Sequence, residues 1–325
     1  MISLDKKILD KNSAVAKRMV EYGEKDELFI IIPNSERIEL NLSPTVHVFT
    51  SWGKNKLRQF SELYGVGGRL LKKEKIDLIS TQDPFFIGLL GVCFKKQFKL
   101  PIETQLHGDF FSSNYYHFKS GPMNHLRWHI GKYVVRRADR VRVVGERIKQ
   151  SLVKFGIRPE KIITRPIKIN AENLNQPILN LKEKYPGYEK VFLILGRLEP
   201  VKNITWLVAI FKEILKQKNY LLLIVGRGSE EINIRRQIVN NNLDSNIKLQ
   251  NWTEDPYSYL KTVDCVLFSS LSEGYGLVAM EAHAAGTPVI MNDVGVANYE
   301  LQPSDKVTIL PINDREKWIQ AILNI

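Results

Sequence analysis

Residues 265–291 constrain the fold of this chain more than any other stretch. They contain an apolar run, a glycine-containing turn, a short helical pattern and a second apolar run. This order predicts a buried parallel strand, a turn, a helix and a further strand. The turn, Gly274-Tyr275-Gly276, leads into the helix at Leu277, so its free backbone N–H groups face whatever lies above the sheet. That arrangement favours a phosphate ligand.

Two carboxylates flank the turn. Glu273 lies in the loop, and Glu281 lies one turn into the predicted helix of residues 277–285. Glu281 can reach hydroxyls on one side of a bound phosphate, and Glu273 lies on the other side. A diphosphate with a sugar on each side is a nucleotide sugar. The alternative is a pair of solvated carboxylates near a helix end.

The segment, with Val263-Asp264 before it and residues 285–289 after it, resembles the E-x7-E signature of retaining glycosyltransferases of family 4. The resemblance extends over roughly residues 100–310 and is weak before that. It implies a GT-B fold, in which two doubly wound Rossmann-like domains face a central cleft. It also implies sugar transfer from a nucleotide diphosphate-sugar to a glycan or lipid-linked acceptor with retention of configuration. Glu281 then binds the nucleotide ribose and Glu273 the donor sugar.

Alternating strand and helix patterns along the chain predict parallel sheets with crossover helices. The 325 residues favour two α/β domains. We expect a first, acceptor-side domain at 1–170, a linker at 171–187 and a nucleotide-sugar-binding domain at 188–325. Compared with the family, the first strand and the C-terminus are both expected to be short.

Two cations lie on the loop that follows the strand predicted at 191–195. The loop begins at Gly196 and carries Arg197 and Lys202, which match the Arg and Lys that the family sets against the diphosphate. Fixed cations stabilise the negative charge that develops on a leaving diphosphate. No Asp-x-Asp motif occurs in the chain, so we expect metal independence and no further cofactor. Otherwise the two residues are ordinary solvent-facing cations.

Three more positions are candidates through the resemblance. His107 ends the strand predicted at 101–106, where the family has a histidine facing the donor sugar; a histidine at a strand end is otherwise more often structural. Gly226 lies in Gly226-Arg227-Gly228, which is too incomplete for a dinucleotide-binding motif. In the family this loop borders the nucleotide base, as does the segment around Trp252. A tryptophan in the core is the alternative there.

The charge is uneven along the chain. Residues 1–170 contain 31 Lys and Arg against 17 Asp and Glu, whereas the remainder is close to neutral. This balance indicates an anionic partner for the first half, and we expect an anionic membrane surface. Candidate contacts are Lys95, Lys96, Lys99, Arg127, Lys132, Arg136 and Arg137, with Trp128, Tyr133 and Phe118 beside them. A merely solvated lysine-rich surface is the alternative.

No apolar run is long enough to span a bilayer, and no signal-peptide pattern begins the chain. Cys93 and Cys265 both lie in apolar surroundings, which predicts reduced core cysteines of a cytoplasmic protein. We therefore expect a cytoplasmic protein attached peripherally to the membrane. Two other classes stay open: a GT-B protein without transfer activity, and a nucleic-acid-binding protein. The second has the charge but no recognised nucleic-acid-binding motif.

Overall fold

The computed structural model describes residues 1–112, 121–169 and 180–325, which form two compact units. Among these residues the first unit comprises 1–111, 121–143 and 151–165, and the second comprises 112, 144–150, 166–169 and 180–325. Much of the linker predicted at 171–187 lies outside the described residues.

The first unit contains a parallel sheet and a smaller mixed one. The parallel sheet has the order β4-β5-β6-β7, and the smaller sheet has the order β1-β3-β2, with only β2 antiparallel. Ile2 bridges Ile31 and Thr81 and so joins the two sheets at their inner edges. The strands are β1 (Leu28–Ile32), β2 (Glu39–Ser43), β3 (Val46–Thr50), β4 (Ile79–Thr81), β5 (Ile102–Leu106), β6 (Arg140–Val143) and β7 (Ile162–Thr164).

Helices connect these strands and cover the sheet. They are α1 (Ala14–Gly23), α2 (Lys56–Lys73), α3 (Phe86–Phe98), α4 (Pro122–Arg137) and α5 (Glu146–Lys154), the first turn of α5 being grouped with the second unit. The helical sequence pattern from about Met123 to Arg137 predicts α4 within one residue of its observed bounds. Cys93 is exposed on α3, so the prediction that both cysteines are core residues is wrong for Cys93; Cys265 is buried.

The second unit is built on one six-stranded parallel sheet with the order β10-β9-β8-β11-β12-β13. Its strands are β8 (Lys190–Leu195), β9 (Tyr220–Val225), β10 (Ile247–Gln250), β11 (Cys265–Phe268), β12 (Val289–Asn292) and β13 (Val307–Leu310). Its helices are α6 (Leu181–Lys184), α7 (Ile204–Ile214), α8 (Glu231–Asn240), α9 (Pro256–Thr262), α10 (Leu277–Ala284) and α11 (Arg315–Leu323). The predicted α/β class with doubly wound parallel sheets is confirmed.

Apolar strands place the core of the second unit between helices on both faces of its sheet. All six residues of β9 are buried, as expected of a strand covered on both faces. The core ends where polar residues begin, at the carboxyl ends of β8 and β11. Ligands of open α/β sheets bind beyond those ends. Both predicted donor-binding loops therefore lie at one edge of one sheet.

Candidate functional site

The loop after β8 is fixed by a close crossing of two backbones. Gly196 has a φ of +147° and donates its N–H to the Val225 carbonyl at 3.0 Å. A Cβ on Gly226 would lie only 1.8 Å from the Gly196 carbonyl oxygen, so no larger residue fits there. The Leu198 N–H also donates to the Arg227 carbonyl at 2.8 Å. The Gly226 loop therefore sets the position of the loop that carries Arg197.

The structure brings Lys202 and Glu273 together. The Lys202 ammonium forms an ion pair with Glu273 Oε1, and the two side chains are only 20% and 15% exposed. The ammonium also lies 5.2 Å from the centre of the Phe268 ring. The pair is thus largely shielded from water, and an ammonium held there is less screened than a surface cation. Arg197, in contrast, is exposed and has no ion pair among the described residues.

Buried amide contacts hold the first part of the loop that follows β11. Asn292 is fully buried, and its side-chain amide donates to the Ser269 and Ser270 carbonyls at 2.8 and 3.1 Å. The Trp318 indole N–H donates to Asn292 Oδ1 at 3.0 Å and fixes the orientation of that amide. The Ser269 hydroxyl then donates to the Lys202 carbonyl at 2.8 Å. The loop that carries Lys202 and the loop that carries Glu273 are thereby joined to one another.

The turn Gly274-Tyr275-Gly276 is clamped by a second loop. The Val296 N–H donates to the Tyr275 carbonyl at 2.7 Å. A Cβ on Gly295 would lie 2.2 Å from that same carbonyl oxygen, so glycine is required for this approach. Gly276 has a left-handed φ of +98° and precedes α10, whose first N–H groups have no partner inside the helix. The positive end of the α10 helix dipole therefore lies beside Glu273, as the sequence predicts.

Glu281 lies in α10, one turn after Leu277, and has a partner that sequence reasoning missed. The Tyr257 hydroxyl, on α9, donates to Glu281 Oε1 at 2.9 Å. Burial raises the pKa of the Glu281 carboxyl, and the hydrogen bond from Tyr257 opposes that rise. Tyr257 holds one carboxylate oxygen, so the other is available to accept from vicinal hydroxyls. The sequence around Tyr257 indicates only that a helix starts at Asp255-Pro256. It gives no local sign of the contact with Glu281.

Trp252 is 50% exposed in the loop after β10, so the alternative of a core tryptophan is wrong. Its contact with a base stays a prediction. Gly226 and Gly228 are explained by backbone packing, since a Cβ on Gly228 would lie 2.3 Å from the Leu198 carbonyl oxygen. This agrees with the sequence argument against a dinucleotide-binding motif.

His107 lies at the carboxyl end of β5, in the first unit, as predicted. The pKa of its imidazole is lowered, first by partial desolvation and then by the positive charges of Arg142 and Arg18. The neighbouring Asp109 is buried and accepts a hydrogen bond from the Ser151 hydroxyl at 2.9 Å. Asp109 is therefore structural, and the role of His107 toward a donor sugar stays a prediction.

Within the described ranges, no group of three or more His, Cys, Asp or Glu residues has the arrangement needed to hold a metal ion. Metal independence of the predicted reaction remains a prediction. Among the same residues no helix is both long and apolar enough to cross a bilayer.

Two family models together match most of the chain. The model described as "Glycosyl transferases group 1" matches residues 177–325, and that described as "Glycosyltransferase Family 4" matches residues 14–172. The alpha-monoglucosyldiacylglycerol synthase of Streptococcus pneumoniae is 28% identical over 68% of this chain and 53% of its own length. The O-antigen chain mannosyltransferase RfbU of Salmonella typhimurium is 27% identical over 60% of this chain and 53% of its own length. The chain thus spans a little over half the length of both relatives.

Solved structures resemble the chain over nearly its whole length. Sucrose-phosphate synthase of Thermosynechococcus elongatus superposes with a TM-score of 0.77 at 19% identity, covering 100% of this chain and 88% of the other. Anabaena HepE in complex with UDP superposes with a TM-score of 0.74 at 16% identity, covering 99% and 88%. At these identities the likeness concerns the fold alone.

Proposed function

We propose that this chain is a glycosyltransferase of the GT-B superfamily, and that it transfers a sugar from a nucleotide diphosphate-sugar to a glycan or lipid-linked acceptor. The observation that carries the proposal is the convergence at one sheet edge of Arg197, Lys202, Glu273 and the clamped N-terminus of α10. Cations and free N–H groups there suit a diphosphate, and carboxylates beside them suit sugar hydroxyls.

The proposed chemistry places charge stabilisation on the second unit. When the bond between the anomeric carbon and the phosphate oxygen breaks, the electron pair stays on the diphosphate, which gains negative charge. The Arg197 guanidinium and the Lys202 ammonium stabilise that charge. Lys202 starts paired with Glu273, so a bound donor places its diphosphate and sugar against groups that already orient each other.

We propose retention of configuration, with the acceptor attacking from the face that the diphosphate leaves. The departing phosphate oxygen then takes the proton of the acceptor hydroxyl, so no side chain is needed as the base. Positioning and charge stabilisation supply the rate enhancement. Glu281 contributes by binding the nucleotide ribose, with Tyr257 holding its carboxylate in place. No observation favours the alternative of a non-catalytic binding protein.

Donor binding is tested by thermal denaturation of the purified chain with UDP-, GDP- and ADP-sugars. A ligand at a hundred times its Kd stabilises the folded state by about 2.7 kcal/mol, so one nucleotide series should raise Tm clearly. The Glu281→Ala variant is the control and should lose most of the shift. If no nucleotide sugar stabilises the wild type, the proposal fails. Hydrolysis of the stabilising donor then shows whether the protein is an enzyme.

We further propose that this chain is cytoplasmic and attaches peripherally to an anionic membrane surface through α3 and α4. Neither helix contains a carboxylate, while α4 alone carries four cations. Lys132 covers the Trp128 ring at 3.9 Å, and Arg137 covers the Tyr133 ring at 3.9 Å. Met123 and Leu126, 54% and 49% exposed, add apolar contacts that the sequence analysis missed.

Only some of the side chains predicted to contact the membrane are exposed in the structure. Lys95 is paired with Asp139 at 2.6 Å, and Arg127 is half-buried and donates to Asn124 at 3.3 Å. Lys96, Lys99, Arg136 and Arg137 are exposed. Phe118 lies outside the described residues. The exposed cations are the ones that support electrostatic attachment.

Sedimentation with vesicles tests this attachment. Each exposed cation contributes about 1 kcal/mol at an anionic surface, so Arg136→Gln/Arg137→Gln should weaken binding to phosphatidylglycerol-containing vesicles by roughly tenfold or more. The matched control, Arg236→Gln on the exposed face of α8, should have no effect. Equal binding to vesicles of phosphatidylcholine alone, or no binding to either at low salt, contradicts the proposal.

A further inference from the structure

Three polar side chains, those of Gln105, Arg142 and His107, lie on one face of the first unit's parallel sheet. Gln105 on β5 is directly opposite Arg142 on β6. Because side chains alternate along a strand, Gln105 and His107 point to the same face. The carboxyl ends of these parallel strands meet at one edge, so Arg142 and His107 are neighbours there.

Arg142 is an arginine without a partner. Its Nε is buried and has no hydrogen bond, and the residue has no ion pair within the described part of the chain. An unpaired buried donor on a cation is costly, and native proteins keep few of them. The observation indicates that a ligand accepts a hydrogen bond from the Arg142 guanidinium.

A second arginine, Arg18, has a charge that acts on the same histidine. Arg18, on α1, is exposed and forms neither an ion pair nor a hydrogen bond with any described residue. Its charge and that of Arg142 both reach the His107 ring and disfavour the protonated imidazole. Both of these charge effects on the His107 ring are positive.

The remaining polar groups on this face are already paired or lie further back. The Gln105 side-chain amide donates to the Ser80 hydroxyl at 3.0 Å. Glu103 is two residues earlier on β5, opposite Arg140 rather than Arg142. Lys6 donates to Asn34 Oδ1 at 3.1 Å. Two guanidinium groups and one imidazole are thus left for a ligand.

We propose that Arg142, Arg18 and His107 form a subsite for a phosphate group of the acceptor. Guanidinium groups bind phosphate oxygens in a bidentate manner, and a neutral imidazole supplies one further N–H donor. The assignment of this phosphate to the acceptor rests on the proposed function, whereas the phosphate subsite itself does not. The group is either a soluble sugar phosphate or the phosphate of a lipid.

The test is an NMR titration of the His107 ring with inorganic phosphate at constant pH and ionic strength, with chloride as the matched anion. His107→Gln assigns the signal. We expect a saturable shift of the His107 signal with phosphate but not with chloride. In Arg142→Gln the phosphate affinity should be at least about tenfold weaker, because charge-assisted hydrogen bonds are lost. Arg236→Gln, which removes an exposed cation on α8 of the second unit, should leave the phosphate affinity unchanged. In Arg142→Gln the pKa of His107 should also rise.

A non-saturable shift, or an equal phosphate affinity in Arg142→Gln and wild type, overturns the subsite. Glucose 1-phosphate and dodecyl phosphate micelles then distinguish a soluble from a lipid source, and failure of both to compete with phosphate also overturns the acceptor assignment. Stabilisation by a nucleoside diphosphate-sugar is measured on the same samples. If that stabilisation persists while phosphate fails to bind, the subsite is wrong and the proposed donor binding stands.

Discussion

Replacing Gly226 by Ala tests how the Arg197 loop is positioned. The new Cβ would lie 1.8 Å from the Gly196 carbonyl oxygen and 3.0 Å from the Gly196 carbonyl carbon. Both contacts are with backbone, so no side-chain rotation relieves them. The loop that begins at Gly196 and carries Arg197 must move away from the β9 loop.

The size of that movement follows from the geometry. Real Cβ atoms stay at least 3.0 Å from such atoms, so the two backbones must separate by about 1.2 Å. Overpacking of this kind costs about 1–3 kcal/mol of stability. A displacement of about 1 Å in a positioning group lowers turnover by roughly 10²-fold. We therefore expect both effects in one variant, Gly226→Ala.

Urea denaturation measures the stability, and turnover of the donor identified by thermal shift measures the positioning. Gly68→Ala is the matched control, because Gly68 lies within α2 and a Cβ there meets nothing within 4 Å. That control should gain about 0.5–1 kcal/mol and keep its activity. If Gly226→Ala is as stable and as active as wild type, the crossing of these two loops does not position Arg197.

The other predictions concern the side chains of the donor site. Arg197→Ala and Lys202→Ala should each lower turnover by about 10²-fold or more, and EDTA should have no effect; inhibition by chelation that Mn²⁺ reverses would show that a metal is required. Glu281→Ala should mainly weaken nucleoside diphosphate affinity in calorimetry, while Glu273→Ala should lower turnover more than that affinity; equal nucleotide binding by Glu281→Ala and wild type would refute the ribose assignment. The pKa of Glu281 is raised, so nucleotide affinity should be full above that pKa and fall as pH falls through it. Tyr257→Phe removes the hydrogen bond that lowers this pKa, so the loss on acidification should begin at higher pH; an unshifted pH profile would contradict that role.

Sequence alone determined the elements whose pattern is both local and strong. The strand predicted at 191–195, which is β8, and the turn before α10 were predicted closely, because an apolar run buried in a sheet and a helix that starts after glycine leave clear local signals. The half-exposed β2 was missed, since its residues are alternately exposed and partly buried in an edge strand. The three glycines inside α2 lower its helix propensity, and packing against β1 and β3 supports it instead.

For the candidate site, the sequence identified the residue types and the tertiary structure decided their partners. Lys202 and Glu273 are separated by 71 positions, and nothing local predicts that they pair. The same holds for the contact of Tyr257 with Glu281. These contacts depend on which strands are neighbours in a sheet and on how closely two loops approach. Strand order and backbone packing are set by burial of the whole core, so only the folded chain determines them.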